Sequence, residues 1–158
     1  MRYLIIFLML VGVSYAYETE DYNLIGYYME MPLTPENFAQ ALMDFEIKYP
    51  EIAYRQAVLE SGNFKSKLTS KGKNLFGMRR NKRGWCSDKM LFGHAKYQYW
   101  IYSVLDYKEW QGDKVIHNYY NYLIKRGYNN NIDYIEKLKA VSIPKNIKQI
   151  LNKRLLND

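Results

Sequence analysis

One carboxylate, Glu60, stands where an apolar helical stretch runs out into Ser61-Gly62, and no other acid occurs between Leu59 and Met78. Ala53, Ala57 and Glu60 fall at i, i+4 and i+7, so they share one helix face, away from the side that holds Glu51 and Arg55. A carboxyl on such a stripe is partly desolvated, and near a helix C-terminus it also meets the negative end of the dipole. Both effects disfavour ionisation and raise the pKa. A carboxylic acid still protonated near neutrality suits proton donation to a departing oxygen. Helix position alone favours a plainer alternative, a salt bridge to Lys65, Lys67 or Lys71.

Other chemistry finds less support. Cys86 is the single cysteine, which excludes an internal disulfide and a cysteine-based zinc site. A cysteine nucleophile needs a histidine, and only His94 and His117 exist, with no signature around them. Two distant histidines and no acid cluster give no metal-ligand spacing, so neither a metal nor a cofactor is expected.

With 158 residues the chain has the length of one domain that can sustain its own core. Its 17 tyrosines and three tryptophans suit a core, a sugar site or a nucleobase site alike. Met1-Arg2, an apolar run from Tyr3 to Val13 and small residues at Ser14 and Ala16 have the layout of a secretory signal peptide. The run is too short to span a bilayer comfortably, which takes about 20 apolar residues. Residues 1–16 are thus expected to be removed, leaving a periplasmic or secreted protein with no integral membrane segment. The formal charge of +7 loses only Arg2 in this step, so the mature chain carries +6. That surplus favours an anionic partner. Nucleic acid is not expected, because no known binding module is present and the export signal argues against it.

Around Glu60 the chain reads as mainly helical. Thr34-Pro35-Glu36 is a helix start, with a hydroxyl cap, an early proline and an acid. That helix is expected to reach about Tyr49, with Phe38, Leu42 and Phe45 on its apolar face. Pro50 opens a second helix that Gly62 closes. Residues 17–33 read as an extended segment and 63–76 as a basic loop. Between Met78 and Phe92, the turn cluster Asn81-Lys82-Arg83-Gly84 suggests a small hairpin. Helical periodicity returns at Tyr97 to Leu105, at Val115 to Leu123 with Gly127 as its stop, at Ile135 to Val141, and after Pro144.

Four pieces in order carry a resemblance. Gln56-Ala57 leads into Leu59-Glu60-Ser61-Gly62, followed by Ser66 and by Asn74-Leu75-Phe76-Gly77. Downstream come Tyr97, Trp100, Ser103, Asp106 and Tyr107, then Gly127, Tyr128, Tyr134, Lys137 and Leu138. Over roughly residues 36–142 the chain resembles glycoside hydrolase family 73, the endo-β-N-acetylglucosaminidase domain of bacterial autolysins and flagellar-type muramidases.

The resemblance implies a mainly helical, lysozyme-like α+β domain over residues 34–158, with a helical lobe and a small β-hairpin lobe flanking a sugar cleft. It reverses the odds on Glu60, which matches the family's catalytic acid. The implied substrate is the glycan strand of peptidoglycan, cut after N-acetylglucosamine by a monomer. Asn74 and Phe76 would shape the cleft floor, and Tyr97, Tyr128 and Tyr134 would contact substrate, Ser103 and Asp106 being helix-packing residues. For the last two tyrosines core packing is an equal alternative. A second acid is missing from its usual place: Asp88 is the only one between Gly77 and Tyr97, which leaves that aspartate or the substrate's own acetamido group as the partner. The alternative function is a non-catalytic peptidoglycan-binding module on the same fold.

Overall fold

In a computed structural model, residues 21–128 and 133–152 are described. The proposed signal segment lies outside them. The chain divides into two units, Met1–Pro32 and Leu33–Asp158. In the first, residues 21–30 are helical, where the sequence reading gave an extended segment.

In the second unit, α1 (Pro35–Asp44) starts as its residue types dictate, with the Thr34 hydroxyl accepting from the Asn37 amide at 3.1 Å. It stops five residues short of the expected Tyr49. Glu46 turns left-handed at φ 55°, the Glu46 amide donates to Met43 O at 3.1 Å and the Ile47 amide to Leu42 O at 2.9 Å. This Schellman closure is usually built on glycine, and here the buried Ile47 drives it by packing back onto the helix.

The following helices are α2 (Pro50–Glu60), α3 (Lys67–Gly72), α4 (Trp100–Gln111), α5 (Tyr119–Lys125), α6 (Asp133–Ala140) and α7 (Lys145–Leu151). α3 falls in the expected basic loop; Ser66 caps it by accepting from the Thr69 amide at 3.1 Å. α5 begins later than its apolar pattern suggested, because Val115 is outside the helix and exposed. α1 packs against α7 and α2, and α2 against α6. Phe38 centres this core, with ring centroids of Tyr54, Phe64 and Phe76 at 5.8, 5.3 and 5.9 Å.

The β element is one hairpin, β1 (Met90–Leu91) against β2 (His94–Ala95), with Met90 opposite Ala95 and Leu91 opposite His94. Its turn is Phe92-Gly93, at φ 52° and 77°, as a tight two-residue hairpin requires, and not the expected Asn81–Gly84. Asn74 joins this hairpin to the helices. Its amide nitrogen donates to Met78 O and Ala95 O, both at 2.9 Å, and its oxygen accepts from the Met78 amide at 3.1 Å.

Candidate active site

Glu60 is the last residue of α2, and a tight reversal follows it. Gly62 is left-handed at φ 57°, the Asn63 amide donates to Val58 O at 2.8 Å, and the Phe64 amide donates to the Ser61 hydroxyl at 2.8 Å. The Asn74–Gly77 turn then passes the carboxyl directly. A Cβ on Gly77, whose φ is 64°, would sit 3.0 Å from Glu60 Oε2, so any other residue is strained in the backbone and pushes on the carboxyl.

The resulting cleft has a volume of about 410 Å³ and is lined by Glu60, Phe76, Met78, His94, Trp110 and Tyr128 among others. A larger hollow of about 630 Å³ beside Leu42, Ile47 and Leu151 is mostly apolar, with Glu51 the one carboxylate among its described lining residues.

Burial raises the Glu60 pKa above its ordinary value, while a hydrogen bond from Tyr134 and the nearby His94 pull it back. His94 Nδ1 lies 2.9 Å from Gly77 O. A carbonyl only accepts, so Nδ1 carries the hydrogen and a neutral ring keeps its lone pair on Nε2.

Behind Tyr134 runs a buried chain of hydrogen bonds whose direction is fixed at its far end. Gln111 Oε1 accepts from the Lys48 amide at 3.0 Å, and its Nε2 donates to Lys48 O at 2.9 Å, so this side chain cannot flip. Its Nε2 also donates to the Tyr119 hydroxyl at 2.6 Å. Tyr119 lies 2.5 Å from the Tyr107 hydroxyl, and Tyr107 donates to Gln56 Oε1. Gln56 Nε2 donates to the Tyr134 hydroxyl at 3.3 Å, leaving the Tyr134 hydrogen for Glu60. Every donor in the chain therefore points toward the carboxyl. Chains of this kind polarise one another in a dry interior.

The residues singled out from the sequence divide in two. Phe76 and Tyr128 line the cleft, the Tyr128 hydroxyl donating to Phe76 O, and Tyr134 touches Glu60. Asn74 and Tyr97 do not reach it. Asn74 is fully buried under the hairpin, and Tyr97 is buried with its hydroxyl donating to Asp106 Oδ2 at 2.6 Å. Neither polar group faces the cleft, because each is already spent inside the protein; Tyr97 thus departs from the expected substrate contact, and Asn74 acts on the cleft floor only from beneath, through its bonds to Met78. Asp88 is also outside the lining; its side chain is 99% exposed and pairs with Arg80 at 2.8 Å. The sequence reading missed His94, Trp110 and four cleft arginines, which come from segments far apart in the chain.

A mainly helical fold with a two-stranded lobe, and a half-buried carboxyl in the cleft, define the lysozyme-like α+β class of glycoside hydrolase. The Glucosaminidase family, described as mannosyl-glycoprotein endo-beta-N-acetylglucosaminidase, matches residues 36–146, and the chain belongs to it. No curated protein and no solved structure matches the chain.

Proposed function

We propose that this glycoside hydrolase is exported and cuts the β-1,4 glycan of peptidoglycan after N-acetylglucosamine, with Glu60 as general acid. The observation that carries the reading is a half-buried carboxyl of raised pKa in the cleft, held against Gly77 of the family's Asn-Leu-Phe-Gly turn. A protonated Glu60 gives its hydrogen to the leaving sugar oxygen. Glu60 is the one carboxylate among the described lining residues, so the substrate's acetamido group serves as nucleophile, an exception the two-carboxylate scheme allows. Tyr128 and Trp110 offer rings for sugar packing, whereas the Phe76 ring is buried and stacked on Tyr107 with centroids 3.8 Å apart, so it supports the cleft floor from beneath. The signal-peptide layout of residues 1–16 supports export to the periplasm or beyond.

Mature protein should lower the turbidity of sacculi and release reducing ends. Glu60→Gln should cut the rate by about 10²–10⁴-fold, the usual weight of a general acid. Its fold should survive. Because the folded pKa lies above the ordinary 4.5, the carboxyl's contribution to stability is full below that pH and is lost as pH rises through the folded value. Glutamine has no such loss, so at neutral pH the variant should be at least as stable as the parent. Unchanged activity in Glu60→Gln ends the assignment. That the described lining residues include no second carboxylate favours one other reading, a wall-binding module without turnover. Mass spectrometry of digests in heavy-oxygen water separates the two, since only cleavage yields new muropeptides, and incorporated oxygen distinguishes hydrolysis from transglycosylation.

A further inference from the structure

The cleft is far more basic than a neutral sugar chain requires. Arg79, Arg80, Arg83 and Arg126 line it, against Glu60 as the one acid among the described lining residues. Two of the four are engaged. Arg83 pairs with the buried Asp106, and Arg80 with the exposed Asp88. The other two lack an acidic partner among the described residues. Arg126 lies 5.4 Å over the Trp110 ring and 5.8 Å over Tyr122, and it donates to Trp110 O at 2.9 Å. These contacts fix its direction while leaving its charge uncompensated. Arg79 makes no side-chain hydrogen bond or ion pair among the described residues and is exposed at the cleft edge. Guanidinium groups are fork-shaped donors that match carboxylates.

We propose that Arg79 and Arg126 form a carboxylate-binding subsite that selects anionic glycan over neutral glycan. This rests on the peptidoglycan reading above and names what that reading leaves open. In peptidoglycan the carboxylates sit on the muramyl sugar, either in its stem peptide or, once the peptide is stripped, on the free lactyl group. A neutral N-acetylglucosamine polymer has neither. Trp110 serves both parts of the site, as a ring in the cleft and as the plate that holds Arg126.

The test compares kcat/KM on peptide-bearing strands, amidase-stripped strands and neutral N-acetylglucosamine oligomers. The ratio of anionic to neutral substrate should fall about tenfold in Arg126→Gln and in Arg79→Gln, equivalent to about 1.4 kcal/mol. Lys125→Gln removes the same charge from an exposed position outside the cleft lining and should leave the ratio intact. A loss confined to peptide-bearing strands assigns the subsite to stem carboxylates, and a loss on both anionic substrates assigns it to the muramyl unit. If strands are cut but the arginine variants keep the parent ratio, the subsite is wrong while the hydrolase reading stands. If nothing is cut, the hydrolase reading fails. Calorimetry of a soluble disaccharide-peptide against neutral chitobiose then decides the subsite, since equal binding by parent and variants overturns it.

Discussion

Glu60 is under three opposed influences, and their order sets its behaviour. Burial dominates and raises its pKa, and Tyr134 and His94 oppose it. Removing the Tyr134 hydroxyl should therefore raise the pKa further. With Glu60 as the proposed acid, the basic limb of the pH–rate profile, where that carboxyl loses its proton, should move to higher pH in Tyr134→Phe. kcat/KM should fall about tenfold as one charge-assisted hydrogen bond worth about 1.5 kcal/mol disappears. Tyr119→Phe breaks the donor chain three links further back and should move the limb the same way by less, because Tyr107, Gln56 and Tyr134 still stand in line between the break and the carboxyl. A limb that stays put in Tyr134→Phe, measured on one soluble substrate, excludes any control of the acid by this chain.

At the scale of elements, two helix ends build the site by the same closure. α2 ends at Gly62 beneath Glu60, and α5 ends at Gly127, where the Tyr128 amide donates to Leu123 O at 3.1 Å and swings Tyr128 over Phe76. The Gly77 turn faces them. Gly77→Ala should cost about 1–2 kcal/mol in backbone strain and displace the carboxyl, lowering activity about a hundredfold. Gly93→Ala carries the same left-handed strain at φ 77° with no atom within 4 Å, so it should lose stability without losing rate. Equal activities in the two variants would falsify the positioning role of Gly77. Glycine is why the ends of α2 and α5 were legible in the sequence. The end of α1 was not, because Glu46 adopts the same conformation without the residue type that signals it. The hairpin was expected at Asn81–Gly84 for the same reason in reverse, since those turn-forming residues are used in a loop and Phe92 occupies the turn. Glu60 stood out as a candidate because its motif is contiguous. The arginines, Trp110 and His94 converge only once the chain has folded, and Asn74 and Tyr97 are recognisable as internal supports only from their burial.

Across the whole catalytic unit, the cleft depends on the hairpin side staying fixed to the helices, and Asp106 is the main polar tie besides Asn74. It is fully buried on α4 and accepts from Tyr97, from Arg83 and from Asn81 at 2.8 Å. One carboxylate thus holds the 79–84 loop, which carries three of the four cleft arginines, and the residue that leads out of β2. Breaking a buried charged network by removing one partner is strongly destabilising, by about 3–5 kcal/mol. Asp106→Ala should lose stability of that order in urea unfolding, whereas Arg83→Gln should lose less, because the Arg83 side chain is 28% exposed and water can replace part of its contact. The two losses should also be non-additive, since both act on the same pair. Amide hydrogen exchange then separates a local tie from a global one. Faster exchange in residues 79–97 of Arg83→Gln, with α1 and α2 still protected, is the expected pattern, and uniform loss of protection would mean that Asp106 supports the core at large and not the cleft wall.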